Sequence, residues 1–193
     1  MVARSPVDGL VLFHGAGGDR NHRLFLAMEA AMDVPVARLE FPYRQKGPGR
    51  RPPDRMPVLQ ASAVEQIEAT AAEWRTTTDR LVIGGRSMGG RVCSMIVADG
   101  LAVAGLLLLS YPLHPPGKPE KLRTEHFGAL DCPILLIQGA SDPFGKEPEF
   151  AEHLPAISGP VDQLWLPRTG HDPVARCDED VIERTQGWMA GLG

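Results

Sequence analysis

The stretch LVIGGRSMGGRV, residues 81–92, crowds four glycines around one serine immediately after an apolar run. Two readings compete for it, a phosphate-cradling loop and a nucleophile held on a tight turn. A P-loop counted from Gly85 requires a lysine at position 91 followed by serine or threonine, where this chain has Arg91 and Val92. The dinucleotide spacing, glycines at i, i+2 and i+5, fits neither Gly84 nor Gly85 as its start. What the stretch does contain is G-x-S-x-G, written by Gly85, Arg86, Ser87, Met88 and Gly89, between an apolar strand and a helical segment. In that context the backbone turns sharply and lifts the serine hydroxyl above the sheet, and small neighbours leave room for the turn.

Around this elbow, short apolar runs alternate with helical segments, the pattern of a parallel sheet covered on both faces. Strands are expected at 10–13, 34–39, 81–83, 104–109, 134–137 and 163–166, and helices at 23–32, 58–75, 89–98, 146–154 and 179–189. The helix at 58–75 is the clearest, because Val64, Ile67, Ala71 and Trp74 follow 3, 4, 3 spacing and Pro57 suits a first turn. The 193 residues, 43% hydrophobic and 23% charged, are expected to form one domain with a substantial core. A net charge of −4 without long runs of like charge argues against nucleic acid as a partner. No segment approaches the ~18 apolar residues of a membrane span, and the N-terminal apolar run is too short for a signal peptide, so the expectation is a cytoplasmic protein. Cys93, Cys132 and Cys177 lack metal-ligand spacing and are expected to pack as free thiols.

A serine hydroxyl needs a base, and the base needs a group to orient it. Downstream, LLIQGASDPFG (135–145) places Asp142 just past one strand, and LWLPRTGHDP (164–173) places His171 just past the last. The order Ser, Asp, His and the position of each at the C-terminal end of a strand make Ser87, Asp142 and His171 the expected triad. Alternatives stand beside it. Asp-Pro is a common turn former, Asp172 is a rival acid, and His14, His22, His114, His126 and His153 are rival bases. The loop LFHGAGGD (12–19) offers backbone donors for an oxyanion, with Ala16 N–H as one and Met88 N–H as the other, and His14 bracing the loop. The same loop nearly forms a dinucleotide fingerprint ahead of Glu40, but Arg20 stands where its third glycine belongs.

The segment FPYRQKGPGRRPPDRMP (41–57) lacks either periodicity and is expected to be a surface loop over the ligand edge. There Arg50 and Arg51 meet an anionic substrate, or else Arg50, Arg51 or Arg55 pairs with Asp54. Arg86 and Arg91 flank the elbow, either as helix anchors, the favoured reading, or as attractors of a carboxylate. Between the fourth and fifth strands lie only residues 110–133, too few for a cap domain, so an open site is expected. Tyr111, Leu113 and Phe144 are its expected walls, and His114 is a loop histidine beside it.

HGAGG, GGRSMGGRV, LLLSYPLHPPGKPEKLR and LLIQGASDPFG together resemble the α/β-hydrolase superfamily over nearly the whole chain. They look like the small hydrolase-like proteins grouped with dienelactone hydrolases, whose eukaryotic relatives include a testis-expressed hydrolase-like protein and a subunit of the NSL histone acetyltransferase complex. The resemblance implies a reduced α/β sheet of about six mostly parallel strands in the order 2-1-3-4-5-6, helices on both faces, no cap domain and a triad at Ser87, Asp142 and His171. It implies a serine hydrolase of esters or thioesters that needs no cofactor or metal, with a small acyl substrate as its partner. A catalytically idle binding module on the same fold is the alternative. Dienelactone hydrolases carry cysteine where this chain has Ser87, so their lactone is not implied.

Overall fold

The computed structural model describes residues 7–46 and 51–192. Six strands form one sheet: β1 (Gly9–Phe13), β2 (Val36–Leu39), β3 (Leu81–Arg86), β4 (Gly105–Leu109), β5 (Ile134–Gly139) and β6 (Val161–Leu166). Their order is β2-β1-β3-β4-β5-β6, and each of the five pairings is parallel. Each strand therefore ends on the same edge of the sheet. The longer helices are α1 (Arg23–Ala31), α3 (Met56–Glu73), α4 (Met88–Ala98), α5 (Glu147–His153) and α6 (Asp178–Ala190), within two residues of the expected bounds.

The central strands are continuous apolar runs because both of their faces are buried. Alternate side chains divide between two cores, as the two-residue period of a strand requires. Val11, Phe13, Ile83, Leu106, Leu108 and Leu136 face the α3 and α4 side, whereas Leu10, Leu12, Val82, Leu107, Leu109 and Leu135 face α1 and α6. Each such side chain contributes about 1.5–3 kcal/mol when fully buried. Pro57 does sit in the first turn of α3, and Leu59, Ala63, Ile67, Thr70 and Ala71 form its buried stripe.

The segment at 41–57 departs from the loop expected of it. Residues Pro42–Gln45 form a short helix, α2, with Pro42 in its first turn, and Phe41 and Tyr43 are buried. Proline's fixed φ suits a first turn, and the two rings anchor it, Phe41 stacking on Phe13 at 5.0 Å and packing edge-on to His14 at 5.2 Å. Between β4 and β5, residues 110–133 hold one 3-10 turn, Phe127–Ala129, and no cap. Among the described residues no helix is long and apolar enough to cross a membrane, and no cluster of three or more His, Cys, Asp or Glu is arranged to hold a metal ion.

Candidate active site

The elbow forms where β3 runs into α4. Ser87 has φ 53° and ψ −114°, a conformation that costs a non-glycine residue about 1–3 kcal/mol. Its backbone N–H donates to the Leu109 carbonyl at 2.8 Å, and its carbonyl accepts from Arg91 N–H at 3.0 Å. The hydroxyl does not cap the helix and is free to point elsewhere. Gly89 permits the turn, because a β-carbon there would stand 2.1 Å from the Phe13 carbonyl oxygen.

Asp142 follows β5 and is completely buried. Its Oδ1 accepts the Phe144 N–H at 2.8 Å, and its Oδ2 accepts the Gln138 side-chain amide at 2.8 Å. His171 follows β6. Two backbone bonds, Ala140 N–H to Leu166 O at 3.0 Å and Ser141 N–H to Thr169 O at 2.9 Å, join the two loops and bring the acid to the imidazole. His171 Nδ1 lies 2.8 Å from Asp142 Oδ2, and its Nε2 lies 2.8 Å from Ser87 Oγ. With the proton on Nδ1, Nε2 presents a lone pair to the hydroxyl. Phe144 stacks on the imidazole at 4.0 Å and fixes the plane of the ring.

This junction depends on close backbone approach at Gly139, where a β-carbon would lie 2.2 Å from Gly170 O and 2.4 Å from Thr169 O. Gly139→Ala is therefore expected to destabilise the fold by about 1–3 kcal/mol, as overpacking does. It should also separate Asp142 from His171, so urea denaturation and ester turnover should both register the change.

The rival acid and four of the five rival bases are engaged elsewhere. Asp172 is exposed and pairs with Arg86 Nε at 3.2 Å and His22 Nε2 at 3.1 Å. Arg86 also reaches the His171 carbonyl at 3.5 Å, so it anchors the histidine loop. His14 is buried, with Nδ1 on Gly15 O at 2.8 Å and Nε2 accepting Phe41 N–H at 3.3 Å. Burial, ahead of every other influence, pushes its pKa down, which suits a neutral ring used on both nitrogens. His114 bonds Glu149 at 2.9 Å and Pro115 O at 2.8 Å. His126 bonds Ser94 at 2.7 Å. His153 ends α5.

The loop after β1 lies against the elbow, since a β-carbon on Gly15 would come 3.4 Å from Ser87 Cβ. Ala16 is exposed in that loop, and Met88 is the first residue of α4. First-turn helix N–H groups have no acceptor within their own helix, so Met88 N–H is open to a ligand. Tyr43, which no sequence signal marked, donates its hydroxyl to Ala16 O at 2.9 Å. Burial raises its pKa to about 12, which preserves the donor. Tyr43→Phe removes one hydrogen bond of about 1 kcal/mol and should lower kcat roughly fivefold if Ala16 serves the transition state, as steady-state kinetics would reveal.

Tyr111 and Leu113 are not brought to the site surface. Both are completely buried in the core beside α4, where the Tyr111 ring packs on Phe127 at 5.6 Å and its hydroxyl donates to Arg123 O at 2.6 Å. The chain leaving β4 directs them inward, so they underlie the site rather than line it. Arg51 is exposed and donates to Lys46 O at 3.1 Å, and Arg50 lies outside the described residues. Asp54 pairs with Lys46 at 3.7 Å, and neither Arg51 nor Arg55 pairs with it among the described residues. Cys93 is buried with Sγ against Gly84 O at 3.3 Å, and burial pushes its thiol pKa far up. Gln138 also went unread, although a fully buried glutamine inside the apolar run of β5 signals a polar partner nearby.

A family model described as an alpha/beta hydrolase domain matches residues 7–187. The chain belongs to the alpha/beta hydrolase family. Among solved structures it is similar to a monoacylglycerol lipase from Paleococcus ferrophilus, with TM-score 0.77 and 13% identity over 96% of this chain and 95% of that one. It is also similar to a dienelactone hydrolase from Anabaena variabilis, with TM-score 0.73 and 17% identity over 96% and 87%. A Bacillus cereus carboxylesterase gives TM-score 0.65 and 19% identity over 98% and 91%. At such identities these likenesses concern the fold, and this alpha/beta hydrolase's chemistry must be argued from its own residues.

Proposed function

We propose that this chain is a serine hydrolase of carboxylic esters or thioesters, working through an acyl-enzyme. The observation that carries the reading is the continuous chain Ser87 Oγ, His171 Nε2, His171 Nδ1 and Asp142 Oδ2, each link 2.8 Å long, centred on a serine in a strained elbow.

As Ser87 Oγ attacks the substrate carbonyl, its proton passes to His171 Nε2. Asp142 holds the tautomer and balances the imidazolium charge without taking the proton. The carbonyl oxygen, now an oxyanion, receives hydrogen bonds from Ala16 N–H and Met88 N–H, and each such donor is worth about 3 kcal/mol of barrier. His171 then protonates the departing alcohol or thiol. Water, deprotonated by the same nitrogen, attacks the acyl-serine, and as the acyl–Oγ bond breaks and the acid leaves, His171 returns that proton to Ser87 Oγ. Every proton is accounted for by Ser87, His171 and water, so the cycle runs without metal or organic cofactor.

The test is turnover of short-chain p-nitrophenyl esters and acyl thioesters by purified protein, with Ser87→Ala as the control. Serine-dependent release of product supports the reading. Its absence across both series would favour a binding module that keeps the geometry without turnover.

A further inference from the structure

Two half-buried arginines, one on α4 and one in the segment after β4, lack the carboxylate partner that the other half-buried arginines have. Arg38, Arg44, Arg80, Arg86 and Arg184 each pair with a carboxylate. Arg91 and Arg123, both partly buried, form no ion pair among the described residues, and Arg91 Nε is buried without any hydrogen-bond partner.

Both belong to segments that border the site. Arg91 lies one helical turn after Ser87 and bonds its carbonyl, and a helical side chain leans back over the preceding turn, here the serine end of α4. Arg123 approaches from the segment after β4, with its N–H on Leu113 O at 2.9 Å and its guanidinium on Pro112 O at 3.4 Å. That segment borders the triad, because His114 N–H bonds Phe144 O at 3.1 Å and the amide that holds Asp142 also reaches Tyr111 O at 3.4 Å. Tyr111 bridges Arg123 to α4: its hydroxyl donates to Arg123 O and meets Ser94, which donates to Arg91 O at 2.9 Å. Burial first, and then the charge of Arg91, lowers the Arg123 pKa, while Tyr111 and the exposed Glu125 oppose this. Two like charges so placed repel until an anion lies between them. A guanidinium presents a planar fork that fits a carboxylate through two hydrogen bonds.

We propose that Arg91 and Arg123 form an anion subsite that selects substrates carrying a carboxylate a few bonds from the scissile carbonyl. The inference rests on the hydrolase reading for its catalytic consequence, while the binding of the anion stands apart from it. Arg86, committed to Asp172 and the His171 carbonyl, takes no part.

The test compares kcat/KM for mono-p-nitrophenyl glutarate with that for its neutral methyl ester, in the wild type, Arg91→Gln and Arg123→Gln. The wild type should prefer the anionic ester at least tenfold, and either substitution should reduce that preference about 10-fold or more, in line with the loss of a charge-assisted contact. A general loss of folding lowers both rates together and leaves their ratio unchanged. Equal wild-type rates on the two esters, or a preference that survives both substitutions, overturns the proposal. If neither ester is cleaved through Ser87, the hydrolase reading fails by itself and calorimetry with glutarate decides the subsite. Saturable binding lost in Arg123→Gln upholds it, and no binding at millimolar glutarate overturns it.

Discussion

Ser87→Ala is expected to lower kcat for ester hydrolysis by about 10⁴-fold or more while leaving the protein folded. The hydroxyl makes one side-chain hydrogen bond, to His171 Nε2, and none to the backbone of the helix it precedes. Its removal therefore deletes the nucleophile without disturbing the elbow. Ser87→Gly should be equally inactive, yet no less stable and by up to about 1 kcal/mol more stable, because glycine accepts a positive φ that strains serine. Thermal unfolding of the two variants separates these effects. A serine whose replacement abolishes turnover and relieves strain is one whose conformation serves chemistry and not folding.

Asp142→Asn should have the second-largest effect, a fall in kcat of roughly 10³- to 10⁴-fold. The carboxylate accepts three hydrogen bonds, from His171 Nδ1, the Gln138 amide and Phe144 N–H. Asparagine keeps the volume, but its NH₂ group cannot accept. If its oxygen stays on Phe144 N–H, the NH₂ group faces Gln138 and His171 and stabilises the imidazole tautomer that turns a proton toward Ser87. If it flips, Phe144 N–H loses its acceptor. Either outcome removes the charge that balances the imidazolium. The loss should appear in kcat with KM little changed, since the buried Asp142 does not touch bound substrate, whereas Asp142→Ala should also cost stability because it strands three donors.

How far the sequence foretold this arrangement depends on which physical signal each part carried. The strands were legible because strands buried on both faces must be short apolar runs, their order followed from the family resemblance, and the meeting of Ser87, Asp142 and His171 was legible because each follows a strand of a parallel sheet. Helix α2 was not legible, since its proline- and arginine-rich composition conceals the two rings, Phe41 and Tyr43, that pin it to β1. Tyr111 and Leu113 were expected at the rim, but the direction in which a chain leaves a strand is set by packing against neighbours distant in sequence, and here it turns them into the core. Arg91 and Arg123 lie 32 residues apart (123 − 91), and only the fold shows that neither forms an ion pair among the described residues. The arginine segment at 50–51 attracted attention instead because its charge was concentrated locally.

The most direct measurement is labelling of the purified protein with a fluorophosphonate, followed by mass spectrometry of the adduct. Stoichiometric modification is expected at Ser87, abolished in Ser87→Ala and greatly slowed in His171→Ala. Folded protein that stays unlabelled, or label carried on any residue other than Ser87, would contradict that expectation.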